Sequence, residues 1–218
     1  MWGVAVWLAV EIVLWPDVAV LALENPGRTA FMRRYEDRVG RTVDSVWVPY
    51  GEIADTLKSA VLVAEDIDFF SHQGFAGGEV EKAIREAIRT RSFPRGASTI
   101  TQQTAKNLWL SPSRSPRRKL REALLTRSLE RHLEKRRILE IYLNVAEFGE
   151  GTFGCEAASR HFFGKPASRL TRHEAARLAA VLPRPSRWSP TGTSSSYLAA
   201  VERIERRAAR ARWLRQVI

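Results

Sequence analysis

The spacing of its apolar residues constrains this chain more than any other feature. From Gly51 onward they recur at helical intervals and seldom alternate. Ile53, Leu57, Ala60/Val61 and Ala64 form one series, which brings Glu65 and Asp66 to a helix end. Val80, Ala83/Ile84 and Ala87/Ile88 mark a second helix, and Ser98 is the expected N-cap of a third, running to about Leu110. A Ser/Pro/Arg loop follows at residues 111–116. A fourth helix is expected from near Arg117, another over residues 135–144, and an Ala-rich one over 174–181, stopped by Pro183 and Pro185. Leu198, Val201, Ile204 and Ala208 give a basic amphipathic C-terminal helix. The one β-like stretch is residues 43–48, so the class is mainly α.

The N-terminus reads differently. All of residues 2–23 are apolar except Gly3, Glu11, Pro16 and Asp17, and that length suits a bilayer span. Eleven Val, Ile and Leu residues contribute about −3 to −7 kcal/mol to insertion, against about +3 for Glu11 near the centre. Insertion is therefore near balance or mildly favourable, and a buried or interfacial helix broken at Pro16 is the alternative. The expected division is an anchor at 1–23, a connecting segment at 24–50, a catalytic domain at 51–190, and a linker with the basic helix at 191–218.

Charge narrows the partners. Thirty-five Lys and Arg against 24 Asp and Glu give +11, which favours polyanions: nucleic acid, anionic membrane or phosphorylated substrates. Cys155 is the only cysteine, so neither an internal disulfide framework nor a Cys-rich zinc site is available. The sequence has no phosphate-binding G-x-x-x-x-G-K-[ST] loop, no G-x-S-x-G elbow and no S-x-x-K. His173-Glu174 lacks the second histidine of a zinc protease, because Arg177 stands there.

Three constellations could carry chemistry. Glu65-Asp66, with Phe69, His72 and Gly74, places carboxylates at a helix end in an apolar context, where desolvation raises a carboxyl pKa. Residues 96–107, GASTITQQTAKN, put Thr99, Gln103 and Lys106 on one helical face with Gln102 at its edge, a polar stripe where a structural helix would be apolar. The start of that helix also offers free backbone N–H groups to an anion. Arg114, Arg118, Lys119 and Glu122 gather cations around one carboxylate; a surface ion pair at i,i+4 is the plainer account of Arg118 and Glu122. A glycosidase usually needs a general acid because a sugar alkoxide leaves badly, whereas a diphosphate leaves readily when cations meet its charge. Two candidate carboxylates beside a cation cluster fit transfer from a diphospho-sugar better than hydrolysis.

In order and spacing these residues resemble the glycosyltransferase family 51 domain of peptidoglycan synthesis, over about Val61 to Pro190. Glu65, Asp66, Phe69, His72 and Gly74 match its first motif, and residues 96–107 its second. Arg118, Lys119 and Glu122 match the third, R-K-x-x-E. Residues 135–165 and 170–190 match the fourth and fifth. The resemblance implies a mainly α, lysozyme-like fold that polymerises lipid II on the outer face of the bacterial inner membrane, with one lobe dipping into the bilayer. It implies Glu65 as base on the acceptor hydroxyl and Glu122 as a donor-side residue. Lys106, Arg114 and Arg118 would meet the diphosphate. Asp66, Phe69, His72, Ser98, Thr99, Gln102, Gln103, Asn107, Lys119, Lys135, Tyr142 and Asn144 complete the implied substrate-binding set. No cofactor is required by the resemblance; a divalent cation such as Mg aids some members. Implied partners are lipid II, the growing glycan strand, the inner membrane and other cell-wall synthesis proteins, not nucleic acid. Fused members carry a penicillin-binding domain for which 218 residues leave no room, so the monofunctional branch is expected.

Members usually carry a basic segment before the anchor. Here Arg28, Arg33, Arg34 and Arg38 all follow it, so a start site further upstream is expected. Two other readings make different predictions. A lysozyme-like hydrolase would release soluble muropeptides. A basic nucleic-acid or membrane-binding module would show steep salt dependence and no response to changing Glu65.

Overall fold

A computed structural model of the chain describes residues 15–75, 98–113 and 115–218. Residues 1–14 of the expected anchor, the expected helix at 80–88, Gly96, Ala97 and Arg114 lie outside them. Eight α-helices appear among the described residues: α1 (Ala30–Val39), α2 (Asp55–Glu65), α3 (Ile100–Trp109), α4 (Pro116–His132), α5 (Lys135–Val145), α6 (Cys155–Phe163), α7 (Arg172–Val181) and α8 (Ser195–Arg210). No strand forms among them; a single antiparallel bridge joins Glu147 to Phe153.

α5 is the hub. Beyond its first turn it is buried on nearly every side, as a helix apolar all round must be. α3 lies against both α4 and α5, and α1 covers α3. α2 packs on α7 and α8. The Ala-rich face of α7 (Ala175, Ala176, Ala179, Ala180) is buried there, its small side chains letting the helices approach. Leu57, Val61 and Leu62 of α2 are fully buried, each contributing roughly 1.5–3 kcal/mol. α7 begins at a reciprocal cap between Thr171 and Glu174 and ends at Val181, before Pro183.

The β-like stretch at 43–48 is extended but pairs with no strand. Its backbone is satisfied by side chains: Val43 N donates to Glu36 Oε1 at 2.8 Å and Val48 N to Asn144 Oδ1 at 2.8 Å, while Asn144 Nδ2 donates to Val48 O at 2.9 Å. Glu140 accepts from Trp47 Nε1 and Tyr50 N, both at 3.1 Å, and straps the segment to α5. Val43, Val48, Tyr197 and Ile204 are buried in the same core as α2 and α5, so the flanks at 24–50 and 191–218 pack with the catalytic helices.

Residues 15–23 also pack on the domain. Val18 and Leu21 are buried around a short 3₁₀ turn, Ala19–Ala22. Arg137 of α5 donates to Leu21 O at 2.8 Å and Glu24 O at 2.7 Å. No helix among the described residues is long and apolar enough to cross a membrane.

Candidate active site

Glu65 is the last residue of α2, the position predicted from apolar spacing. Its Oε2 accepts from Gln103 Nε2 of α3 at 2.8 Å. Burial pushes its pKa up, and Asp66 pushes the same way; the Gln103 hydrogen bond and the Lys106 ammonium act against them. Lys106 lies one turn along α3 from Gln103. Burial holds its pKa below the usual lysine range, opposed by Glu122 and Glu65. The Lys106 ammonium has no hydrogen bond or ion pair among the described residues; the ring of Phe31 lies 5.6 Å from its nitrogen. It is a half-buried cation near two carboxylates and bonded to neither.

α4 supplies the second carboxylate. Ser115 caps this helix through Arg118 N at 3.2 Å, and Pro116 occupies its first position, one residue before the expected start. Glu122 is 3% exposed and bound by Arg118 and Lys119, one on each oxygen. The plainer sequence account, a solvated ion pair at i,i+4, does not hold: the pair is buried beside Lys106. Arg118 Nε is buried with no partner among the described residues, leaving a further donor. Asn107, on the same face of α3 as Gln103, makes no hydrogen bond to a described residue.

Other expected contact residues are hydrogen-bonded or packed within the frame of the site. Asp66 accepts from His72 Nε2 at 2.9 Å and from Ile100 N, at the start of α3, at 3.0 Å. A carboxylate there suits the helix dipole. His72 Nδ1 accepts from Gly74 N at 3.1 Å, so both ring nitrogens are engaged. Phe69 is fully buried, edge-on to His72 and Phe70, with Lys135 Nζ 4.5 Å from its ring centre.

Thr99, not Ser98, caps α3. Its hydroxyl accepts from Gln102 N at 3.2 Å while Gln102 Oε1 accepts from Thr99 N at 2.9 Å, a reciprocal cap that a serine one position earlier could not close. Thr99 Oγ1 also donates to Gly74 O at 2.7 Å. Gly74 has φ +85°, and a Cβ there would lie 2.8 Å from Thr126 Cγ2 and 2.9 Å from Glu130 Cγ. Asn144, 3% exposed, has its side chain committed to Val48 and Glu140.

Sequence reasoning missed Glu130. It binds Lys135 Nζ at 2.7 Å and accepts from Thr101 Oγ1, tying α3, α4 and α5 together. Its signal was available: Glu122, Thr126 and Glu130 are spaced i, i+4, i+8, a polar stripe on the buried face of α4.

Two of the described carboxylates have both oxygens already engaged. Both oxygens of Glu122 are held by Arg118 and Lys119, and those of Asp66 by His72 and Ile100 N. No group of three or more metal-ligating side chains gathers among the described residues.

The sequence matches the family model for a transglycosylase over residues 32–212, reaching from α1 past α8. A biosynthetic peptidoglycan transglycosylase of Chromobacterium violaceum is 41% identical over 208 residues, covering 93% of this chain and 89% of the relative. Proteins of the same description from Azoarcus sp. (strain BH72) and Aromatoleum aromaticum are 45% and 48% identical over 188 and 169 residues, covering 84% and 75% of this chain and 79% and 74% of their own lengths. With the family match spanning most of the chain and every described helix from α2 to α8, the protein belongs to the transglycosylase family.

Proposed function

We propose that this protein is a peptidoglycan glycosyltransferase that polymerises lipid II into β-1,4-linked glycan strands and releases undecaprenyl diphosphate during cell-wall assembly. The observation that carries the reading is Lys106: a half-buried ammonium with no anionic partner, beside Arg118 and Lys119, which already hold Glu122. Burying a cation without a partner is costly unless a ligand supplies the counter-charge. A diphosphate supplies it.

Glu65 acts as the base. Its raised pKa brings proton affinity toward the working pH. The acceptor 4-hydroxyl transfers its proton to Glu65 as its oxygen bonds the donor anomeric carbon. The bond from that carbon to the diphosphate oxygen breaks, and the electron pair leaves with the diphosphate. Lys106 and Arg118 receive that charge, with Lys119 and Glu122 fixing the cations in place. One attack on an α-linked donor inverts the anomeric carbon to β. Hydrolysis is disfavoured because Glu122, held by two cations, is not free to act as nucleophile or to activate water.

The catalytic domain is assigned to the periplasmic face of the inner membrane, held by a single N-terminal pass. The apolar composition of residues 2–23 and the family's lipid-linked substrate support that placement. Incubating the purified protein with labelled lipid II tests the function. Long glycan strands on a gel are expected; soluble muropeptides released from isolated walls, with no strand growth, would identify a hydrolase instead.

A further inference from the structure

Buried Tyr142 and half-buried Gln103 and Glu65 form a directed chain into the site. Tyr142 of α5 donates its hydroxyl proton to Gln103 Oε1 at 3.1 Å, and Gln103 Nε2 donates to Glu65 Oε2 at 2.8 Å and to Ser98 O at 3.3 Å. The polarity is fixed at both ends. Glu65 Oε2 and the Ser98 carbonyl accept, so the amide nitrogen must face them. Its oxygen then faces Tyr142, which must donate. Glu65 Oε1 has no hydrogen-bond partner among the described residues.

We propose that Tyr142 and Gln103 are positioning residues that hold Glu65 by one carboxylate oxygen and reserve the other, Oε1, for the acceptor proton. The moment of need comes after that transfer. Once Glu65 is protonated on Oε1, its attraction for the amide N–H weakens, and a carboxyl and an unrestrained glutamine that both turned would set the new O–H on the glutamine oxygen. That turn would trap the proton on Glu65. Tyr142 opposes it, because its hydroxyl has no better acceptor than Gln103 Oε1 and burial keeps it protonated. The inference rests on Glu65 being the base.

The charged groups facing Glu65 are Lys106 from α3, Asp66 beyond the end of its own helix and, when ionised, Tyr142 from α5. Tyr142→Phe leaves the first two in place and removes one hydroxyl. Its kcat should fall about tenfold, the worth of one ordinary hydrogen bond, with KM nearly unchanged. The acid limb of its pH–rate profile should move to higher pH, since a looser Gln103 stabilises the carboxylate less. Gln103→Leu should give the same two changes, larger. In the double variant Tyr142→Phe should add nothing further, because its effect travels through Gln103. Additive losses, or a Tyr142→Phe profile that coincides with the parent's, would overturn the relay. If Tyr142→Phe melts early, Gln103→Leu alone decides, since an unmoved acid limb there also removes it. Glu65→Gln separates the two claims: high activity in that variant would remove the base itself, whereas an inactive Glu65→Gln with additive relay variants removes only the relay.

Discussion

Burial shifts Lys106 and Glu65 in opposite directions, and their mutual attraction opposes both shifts. Burial lowers the first and raises the second. Transfer needs Glu65 ionised and Lys106 charged, so kcat/KM of the free enzyme should be bell-shaped. Its acid limb should lie above the ordinary glutamate value of 4.5 and its alkaline limb below the ordinary lysine value of 10.5. Limbs at those ordinary values would show that burial does not tune the site. Stability carries the same signature with a definite sign. A carboxyl whose folded pKa is raised favours the fold below its unfolded pKa and loses that contribution as pH rises through the folded one. Glu65→Gln should therefore be more thermostable than the parent at neutral pH and equal to it near pH 4. Lys106→Ala should cut turnover by about tenfold to more than a hundredfold, a charge-assisted contact being worth about 1.5–3 kcal/mol. Its melting temperature should not fall, because no internal ion pair is lost. Much of this was legible in sequence: apolar neighbours on both sides of Glu65 announced its desolvation, and the polar face of α3 announced Gln103 and Lys106. What was not legible was which polar groups face one another. Asp66, His72, Gln102 and Asn144 look like substrate contacts as letters, yet each finds its partner in the frame.

Among the elements, α3 is the one whose placement decides the site, because it carries both Gln103 and Lys106. Three contacts fix its first turn: the Thr99–Gln102 cap, the Asp66 carboxylate on Ile100 N, and the Thr99 hydroxyl on Gly74 O. Thr99→Ala removes the first and third and should cost about 1–3 kcal/mol in urea unfolding. It should also lower activity with the core intact; an unchanged unfolding midpoint would mean the cap is not what holds α3. Helix positions were readable from apolar spacing, whereas the caps were not: Thr99 rather than Ser98 begins α3, and Ser115 and Thr171 begin α4 and α7 earlier than the expected starts near Arg117 and at Glu174. The 43–48 stretch misled because its bonding partners, Glu36 and Asn144, are side chains on helices, and the nearest strand-like signal was the β-branched composition itself. Residue Gly154 is similarly non-local. It has φ +86°, and a Cβ there would stand 2.8 Å from Asn144 O, so α6 can begin only where a glycine lets it pass α5.

At the scale of the whole molecule, the described part of the N-terminal apolar run, residues 15–23, packs on the domain. Val18 and Leu21 are buried in the domain, and Leu21 O and Glu24 O serve as acceptors for Arg137. Deleting residues 1–23 should therefore lower the melting temperature relative to deleting 1–14, by a margin reflecting roughly 2–5 kcal/mol of lost burial. Both proteins should still elongate lipid II in detergent, since every candidate catalytic group lies beyond Ile53; equal melting temperatures would contradict the packing of Val18 and Leu21. The long-range arrangement seats α2 on α7 and α8, whose first residues, 172 and 195, lie more than 100 positions beyond its last, 65, while Glu122 of α4 is brought toward Lys106 of the preceding helix. Helical periodicity gives the faces but not which face meets which. The central claim is that this arrangement makes Glu65 the base and leaves donor binding to the cations. The most direct test is to measure strand-elongation rate and donor-analogue affinity together for Glu65→Gln. Elongation should be abolished with affinity almost unchanged; near-parental elongation, or a loss of affinity in place of rate, would contradict it.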